Sequence, residues 1–244
     1  GFEFQAPELA IDTSVQRHLS VQNVYTRFET AQAHQPESGE FRAQNFTLGP
    51  WLALAEYFPL SAAQRGQLAA WSPQGQIKNL ALSWNGPAAA PLAYKVNAEF
   101  LALGTKAVGK LPGFTNLSGS LLADQQGGEL KLNARDTRIE APHVFRQALH
   151  FTELETQTNW RVQNQTLRLT IANLRFANAQ LNGTLSGSYT GDNGKPAYAN
   201  FQGRLNHADA AAVYQYLPLA VTDATYTWVK TAVLQGTSDD VRFQ

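Results

Sequence analysis

The chain has 244 residues, with 19 Lys+Arg against 19 Asp+Glu, no cysteine and no methionine. A neutral, charge-poor surface excludes the basic footprint of a nucleic-acid binder and gives no general pull toward anionic headgroups. Lack of cysteine excludes disulfides, thiolate nucleophiles and Cys-type zinc sites. No stretch approaches the roughly 18 consecutive apolar residues of a spanning helix. An opening at Gly1-Phe2-Glu3-Phe4, without Met and already within a pattern, suggests a piece cut from something longer.

Residues 1–48 read as strands: a long one from Val15 to Phe28, a polar turn at Gln32–Gly39 and another strand at Glu40–Thr47. Gly49-Pro50 breaks that pattern, and the spacing predicts helices over Trp51–Phe58 and Ser61–Trp71, split at Pro59, with Ser61 as N-cap. The sheet resumes at Gln76–Trp84. Leu92-Ala93-Tyr94-Lys95-Val96-Asn97-Ala98-Glu99-Phe100 alternates apolar and polar almost without a break, which in a strand separates one dry face from one wet face. Further strands are predicted at 92–104, 117–123, 128–138, 148–162, 166–177, 179–190 and 196–205, with a hairpin turn at Asp124–Gly128 and a short helical turn near Pro142–Gln147. Leu117-Ser118-Gly119-Ser120-Leu121 and Leu181-Asn182-Gly183-Thr184-Leu185 echo one another, and glycine inside a strand marks strong curvature or close backbone approach. Helices are expected at His207–Leu217, with Asn206 or Asp209 near its start, and at Thr222–Leu234, with Ala224, Trp228, Val229 and Ala232 packed on the sheet end and Gly236 closing it. Ser238–Phe243 then starts another strand. The expected fold is mostly β: one large curved antiparallel sheet with a few short helices, in one segment divided as 1–48 strands, 49–72 helical insertion, 74–205 meander and 207–234 helical end piece.

Chemistry finds little support. His18, His34, His143, His150 and His207 form no ligand spacing, and no phosphate loop, dinucleotide fingerprint or serine elbow is present; Gly183–Gly187 resembles an elbow only inside a strand pattern. Glu153 and Glu155 share a strand face as a glycosidase pair would, on an otherwise ordinary wet-faced strand. No catalytic residue, metal or cofactor is expected. The remaining feature is the apolar stripe: Leu92, Tyr94, Val96, Phe100, Leu121, Leu132, Leu169, Ile171, Leu185 and Phe201. It is either the core of a sandwich or barrel, or the lining of a trough left open for acyl chains.

Four segments carry a family resemblance. Trp71-Ser72-Pro73-Gln74-Gly75-Gln76-Ile77-Lys78-Asn79-Leu80, Gly109-Lys110-Leu111-Pro112-Gly113-Phe114-Thr115-Asn116-Leu117-Ser118-Gly119-Ser120-Leu121, Gln126-Gly127-Gly128-Glu129-Leu130-Lys131-Leu132 and His207-Ala208-Asp209-Ala210-Ala211-Ala212-Val213-Tyr214-Gln215-Tyr216-Leu217-Pro218 resemble the YhdP family of AsmA-like, TamB-related envelope proteins, in order and spacing across about residues 48–244. The resemblance implies a segment of a longer periplasmic protein held in the inner membrane of a Gram-negative bacterium by an N-terminal helix outside this sequence. It implies a taco-shaped groove that carries glycerophospholipids toward the outer membrane, without enzymatic activity or cofactor. Phospholipid acyl chains and neighbouring segments of the same chain are then the expected partners, with no nucleic acid. Tyr94, Val96, Phe100, Leu121, Leu132, Leu169, Ile171, Leu185 and Phe201 are the expected lining. The alternative is a non-catalytic envelope scaffold whose apolar face is a closed core.

Overall fold

A computed structural model describes residues 1–12, 19–33, 35–52, 55–57, 61–192 and 197–244. Thirteen strands form one antiparallel sheet in which almost every strand pairs with its neighbours in sequence. In order they are β1 (Phe2–Ile11), β2 (Leu19–Glu29), β3 (Ser38–Thr47), β4 (Gln74–Asn85), β5 (Ala93–Thr105), β6 (Gly113–Asp124), β7 (Gly127–Glu140), β8 (Leu149–Gln163), β9 (Thr166–Ala177), β10 (Leu181–Asp192), β11 (Tyr198–Asp209), β12 (Thr237–Ser238) and β13 (Val241–Phe243). Both β12 and β13 pair with β11, and β1 forms the opposite edge, so the sheet is an open curved one.

The two rims differ. One carries short hairpins, of which two are tight. At Gln125–Gln126 the Asp124 carboxylate accepts from the Gln126 and Gly127 amides at 2.7 and 3.0 Å. At Asn164–Gln165 both residues have positive φ, the signature of a type I′ turn. The other rim carries every helix among the described residues: α1 (Leu48–Leu52), a 3-10 turn at Ala55–Tyr57, α2 (Ala62–Trp71), a 3-10 stretch at Ala210–Tyr216 and α3 (Asp223–Ala232). Ser61 caps α2 as expected, in a full capping box with Gln64. Of the helix expected over Trp51–Phe58 only the ends of these two short elements lie within the described residues; Ala53, Leu54 and Phe58–Leu60 fall outside them, as do Val15 at the start of the expected first strand, His18 and His34.

The helix expected from His207 is corrected. Strand β11 continues through His207, which pairs with Asn182, and through Ala208, which pairs with Leu181. Ladder bonds hold these backbone groups, and helical turning begins only where Asp209 caps it by accepting from the Ala211 amide at 2.9 Å. Likewise α3 ends at Ala232, well before Gly236. Its inward residues are the half-buried Tyr226, Val229 and Val233, so of the expected face Val229 stays inward while Ala224 and Ala232 are exposed and Trp228 is 64% exposed. Tyr226 meets Tyr214 edge-on at 5.9 Å.

A line of kinks crosses the sheet. Asn23, Asn45, Ala102, Asn116 and Asp136 sit at φ near +50 to +60° within β2, β3, β5, β6 and β7, mostly where the pairing register shifts. A left-handed residue inside a strand bulges and bends it, and bulges aligned from strand to strand curve a sheet. Asparagine and aspartate tolerate that conformation. Side chains reinforce the line: Asn23 donates to Gln44, Gln44 to Asn79 and Asn116 to the Arg135 carbonyl, at 2.6 to 2.7 Å.

Candidate functional site

Register puts the apolar side chains into rows running across the strands. One row passes through Leu82, Val96, Ala123, Gly128, Trp160, Leu169 and Tyr189. The next runs through Leu80, Ala98, Leu121, Leu130, Thr158, Ile171, Gly187 and Phe201. A third contains Ile77, Phe100, Gly119, Leu132, Thr156, Leu174 and Leu185. Tyr94 lies opposite Trp84 in a shorter row at the hairpin rim. All nine residues expected to line a trough therefore share one face of the sheet. Leu92 does not: it precedes β5, next to Pro91, and is 72% exposed. At about 4.8 Å between strands, the longest of these rows, from β4 to β11, extends for roughly 34 Å.

The rows contain two kinds of interruption, both smoothed over. Thr156 and Thr158 bond to each other, hydroxyl to hydroxyl at 3.2 Å, which leaves their methyls for the apolar surface. Four glycines on this face lie beneath aromatic rings from the next strand: Gly39 under Trp84, Gly128 under Trp160, Gly187 under Phe201 and Gly203 under Phe243, each a directly paired position where a methyl group would strike the ring. At Gly187 the backbone itself, with φ of 150°, suits only glycine.

Cover on this face is uneven. Ile77, Phe100, Leu117, Ala134, Leu149, Phe151 and Leu154 form a buried cluster toward the helical rim, with Leu48, Phe145 and Tyr216 packed on it. Among the described residues no helix packs on the hairpin half in this way, and its residues, including Val96, Leu169, Ile171 and Phe201, are only half-buried. Of the nine expected lining residues, Phe100 alone is buried.

Polar latches hold the cover in place. Arg146, on the β7–β8 connection, donates to the carbonyls of Pro218 and Val221 at 3.2 and 3.0 Å and to Asp223 at 2.7 Å, and its guanidinium lies 4.4 Å from the Tyr226 ring centre. Asn178 donates to the Tyr216 hydroxyl, which donates in turn to Gln180, each at 2.8 Å. Burial raises the Tyr216 pKa above its ordinary value, while the Asn178 bond lowers it. Sequence reading missed both latches because their partners lie 36 to 77 residues apart.

The wet face carries a separate recess of about 1480 Å³, framed by side chains such as Tyr25, Arg42, Gln44, Asn79, Asn97, Glu99 and Asn159. Catalytic arrangements do not emerge on it: Glu155 pairs with Arg175 at 3.8 Å, Glu153 faces Arg135, and among the described residues no three His, Asp or Glu side chains gather as a metal site would need. His143 contacts the Gly109 carbonyl at 2.6 Å and His207 contacts Asp239 at 3.1 Å. Among the described residues no helix is long and apolar enough to cross a membrane.

A long antiparallel meander, open at both edges, with apolar rows broken by threonine and glycine on one face and polar ladders on the other, defines an extended open-sheet protein. The YhdP protein family matches over residues 1–244, and the chain belongs to this family of AsmA-like envelope proteins. Comparison with curated proteins and with solved structures gave no match.

Proposed function

We propose that this chain is a segment of a lipid-transfer conduit in the periplasm, attached to the inner membrane through the longer protein of which it is part, and that its apolar face shields phospholipid acyl chains between the two membranes. The observation that carries this reading is the set of apolar rows crossing the strands. A row perpendicular to the strands gives an acyl chain the same non-directional surface at every step, so movement along it exchanges equivalent contacts. Burying such surface is worth about 25 cal/mol per Å², and the uncovered hairpin half offers it to a ligand. The Thr156–Thr158 pair ties its two hydroxyls to each other, and the rings over the glycines extend the apolar surface across them. No bond is made or broken.

The second reading, an envelope scaffold with a closed core, has the buried cluster at the helical rim in its favour. Charge placement separates the two. Val96→Asp and Leu169→Asp should abolish lipid binding and transport in variants that still melt cooperatively, whereas Lys95→Asp on the opposite face should retain both. Equal lipid binding by all three folded variants would refute the conduit.

A further inference from the structure

On the wet face, one step in from the hairpin rim, register lines up Glu3, Arg27, Glu40, Lys95, Asp124, Arg161 and Arg168, with Ser83 and Gly127 as uncharged steps. Successive charges alternate in sign along this row until the last two. Arg161 and Arg168 face each other directly across β8 and β9, and like charges in that position repel. Both are exposed, and among the described residues neither has an acidic partner within ion-pair distance. Elsewhere the chain resolves the same juxtaposition differently. Arg204 and Arg242 also face each other, across β11 and β13, and Asp240 sits between them at 2.6 and 3.5 Å from their Nε atoms. The Arg161–Arg168 pair has the two cations and lacks the anion.

The reverse side of the same hairpin tip is apolar. Val162 and Leu167 pair there and are 43% and 37% exposed, with Trp160 and Leu169 one step further in. Two guanidiniums on one side of a strand pair and four apolar side chains on the other match a molecule with a phosphate at one end and hydrocarbon at the other. Arginine is the side chain whose planar fork fits phosphate oxygens. We infer that Arg161 and Arg168 form a binding site for the phosphate of a lipid headgroup, at the uncovered rim, with the acyl chains turned over the hairpin tip onto the apolar face. The assignment rests on the lipid reading above and adds to it the rim on which headgroups sit and a requirement for phosphate.

The test is titration of the chain with dihexanoylphosphatidate, with dihexanoylglycerol (the same tails without phosphate) and with inorganic phosphate, following the side-chain Nε–Hε resonances of Arg161 and Arg168. The same titrations are run on R161Q/R168Q and on R168E. The expected result is phosphatidate affinity reduced about tenfold or more in R161Q/R168Q, with dihexanoylglycerol binding unchanged and inorganic phosphate weaker than phosphatidate. R168E should lose the phosphatidate preference while melting no lower than the native chain, because a carboxylate opposite Arg161 replaces a repulsive cross-strand pair with an attractive one. Native phosphatidate affinity in R161Q/R168Q would overturn the arginine site and leave the apolar-face reading standing. Inorganic phosphate binding as tightly as phosphatidate would overturn the lipid source of the anion. Failure of both lipids to bind any of the proteins would refute the apolar-face reading, and this site with it.

Discussion

Replacing Leu154 by alanine should cost far more than replacing Leu169, although both lie on the apolar face of neighbouring strands. Leu154 is 5% exposed, paired with Ala134 on one side and Phe176 on the other, inside the cluster beneath Phe145 and Tyr216. Truncation there leaves a cavity as well as lost burial, about 3 kcal/mol for a well-enclosed leucine. Leu169 lies between Trp160 and Tyr189, is half-buried and belongs to neither buried cluster. Its truncation loses part of the transfer free energy and encloses no cavity, about 1 kcal/mol. For a single unit of this length the melting temperature falls by about 2 to 4 °C per kcal/mol, so Leu154→Ala should lower it by about 6 to 12 °C and Leu169→Ala by about 2 to 4 °C. Thermal melts by circular dichroism, with urea titration as a check, measure both. Equal losses would mean that the hairpin half is as enclosed as the helical half, leaving no uncovered track.

Arg146→Ala removes three hydrogen bonds and a ring contact that fasten residues 218–226, at a cost of about 1 to 3 kcal/mol; hydrogen exchange should speed up in α3 and leave β5 to β8 unchanged. Tyr216 carries a pH dependence. Its folded pKa is raised by burial, so its contribution is complete below the unfolded value near 10 and is lost as pH rises through the higher folded value. Urea titrations across the alkaline range should show that loss in the native chain, whereas Tyr216→Phe should lack it and be weaker by about 1 kcal/mol at neutral pH. Gly128→Val should displace the Trp160 ring and destabilise the sheet, with a red shift in tryptophan emission; an unchanged spectrum and melt would rule out the ring-over-glycine packing.

Much of the sheet is readable from the chain because alternation has a period of two, and parity survives errors in strand ends and register. Leu130-Lys131-Leu132 and Leu167-Arg168-Leu169 declare their faces without reference to any partner. For that reason the nine expected lining residues fall on one face. Leu92 fails because the alternation runs one residue past the point where the strand begins. Ser61 and Gln64 are legible as a cap because capping is local. What lay beyond the sequence is what depends on neighbours. Nothing in a strand pattern separates the buried Phe100 from the half-buried Val96, since Phe100 belongs to a cluster packed by side chains from distant segments, Leu48, Phe145 and Tyr216 among them. The turned face of α3 depends on contacts with distant residues, the Tyr214–Tyr226 ring pair and Arg146 over Tyr226 among them. The kinks did leave a trace, asparagine or aspartate in the middle of β2, β3, β6 and β7, where those residues are otherwise poor strand formers. The facing arginines are visible only once register is known.

Whether the uncovered apolar rows hold lipid is tested most directly by native mass spectrometry of the gently purified chain. Bound species should be extracted into organic solvent and identified. A conduit segment should carry stoichiometric phospholipid and lose it in a folded Val96→Asp variant. A native chain free of lipid, still free after incubation with phospholipid vesicles, would contradict the conduit and leave the apolar face as a core.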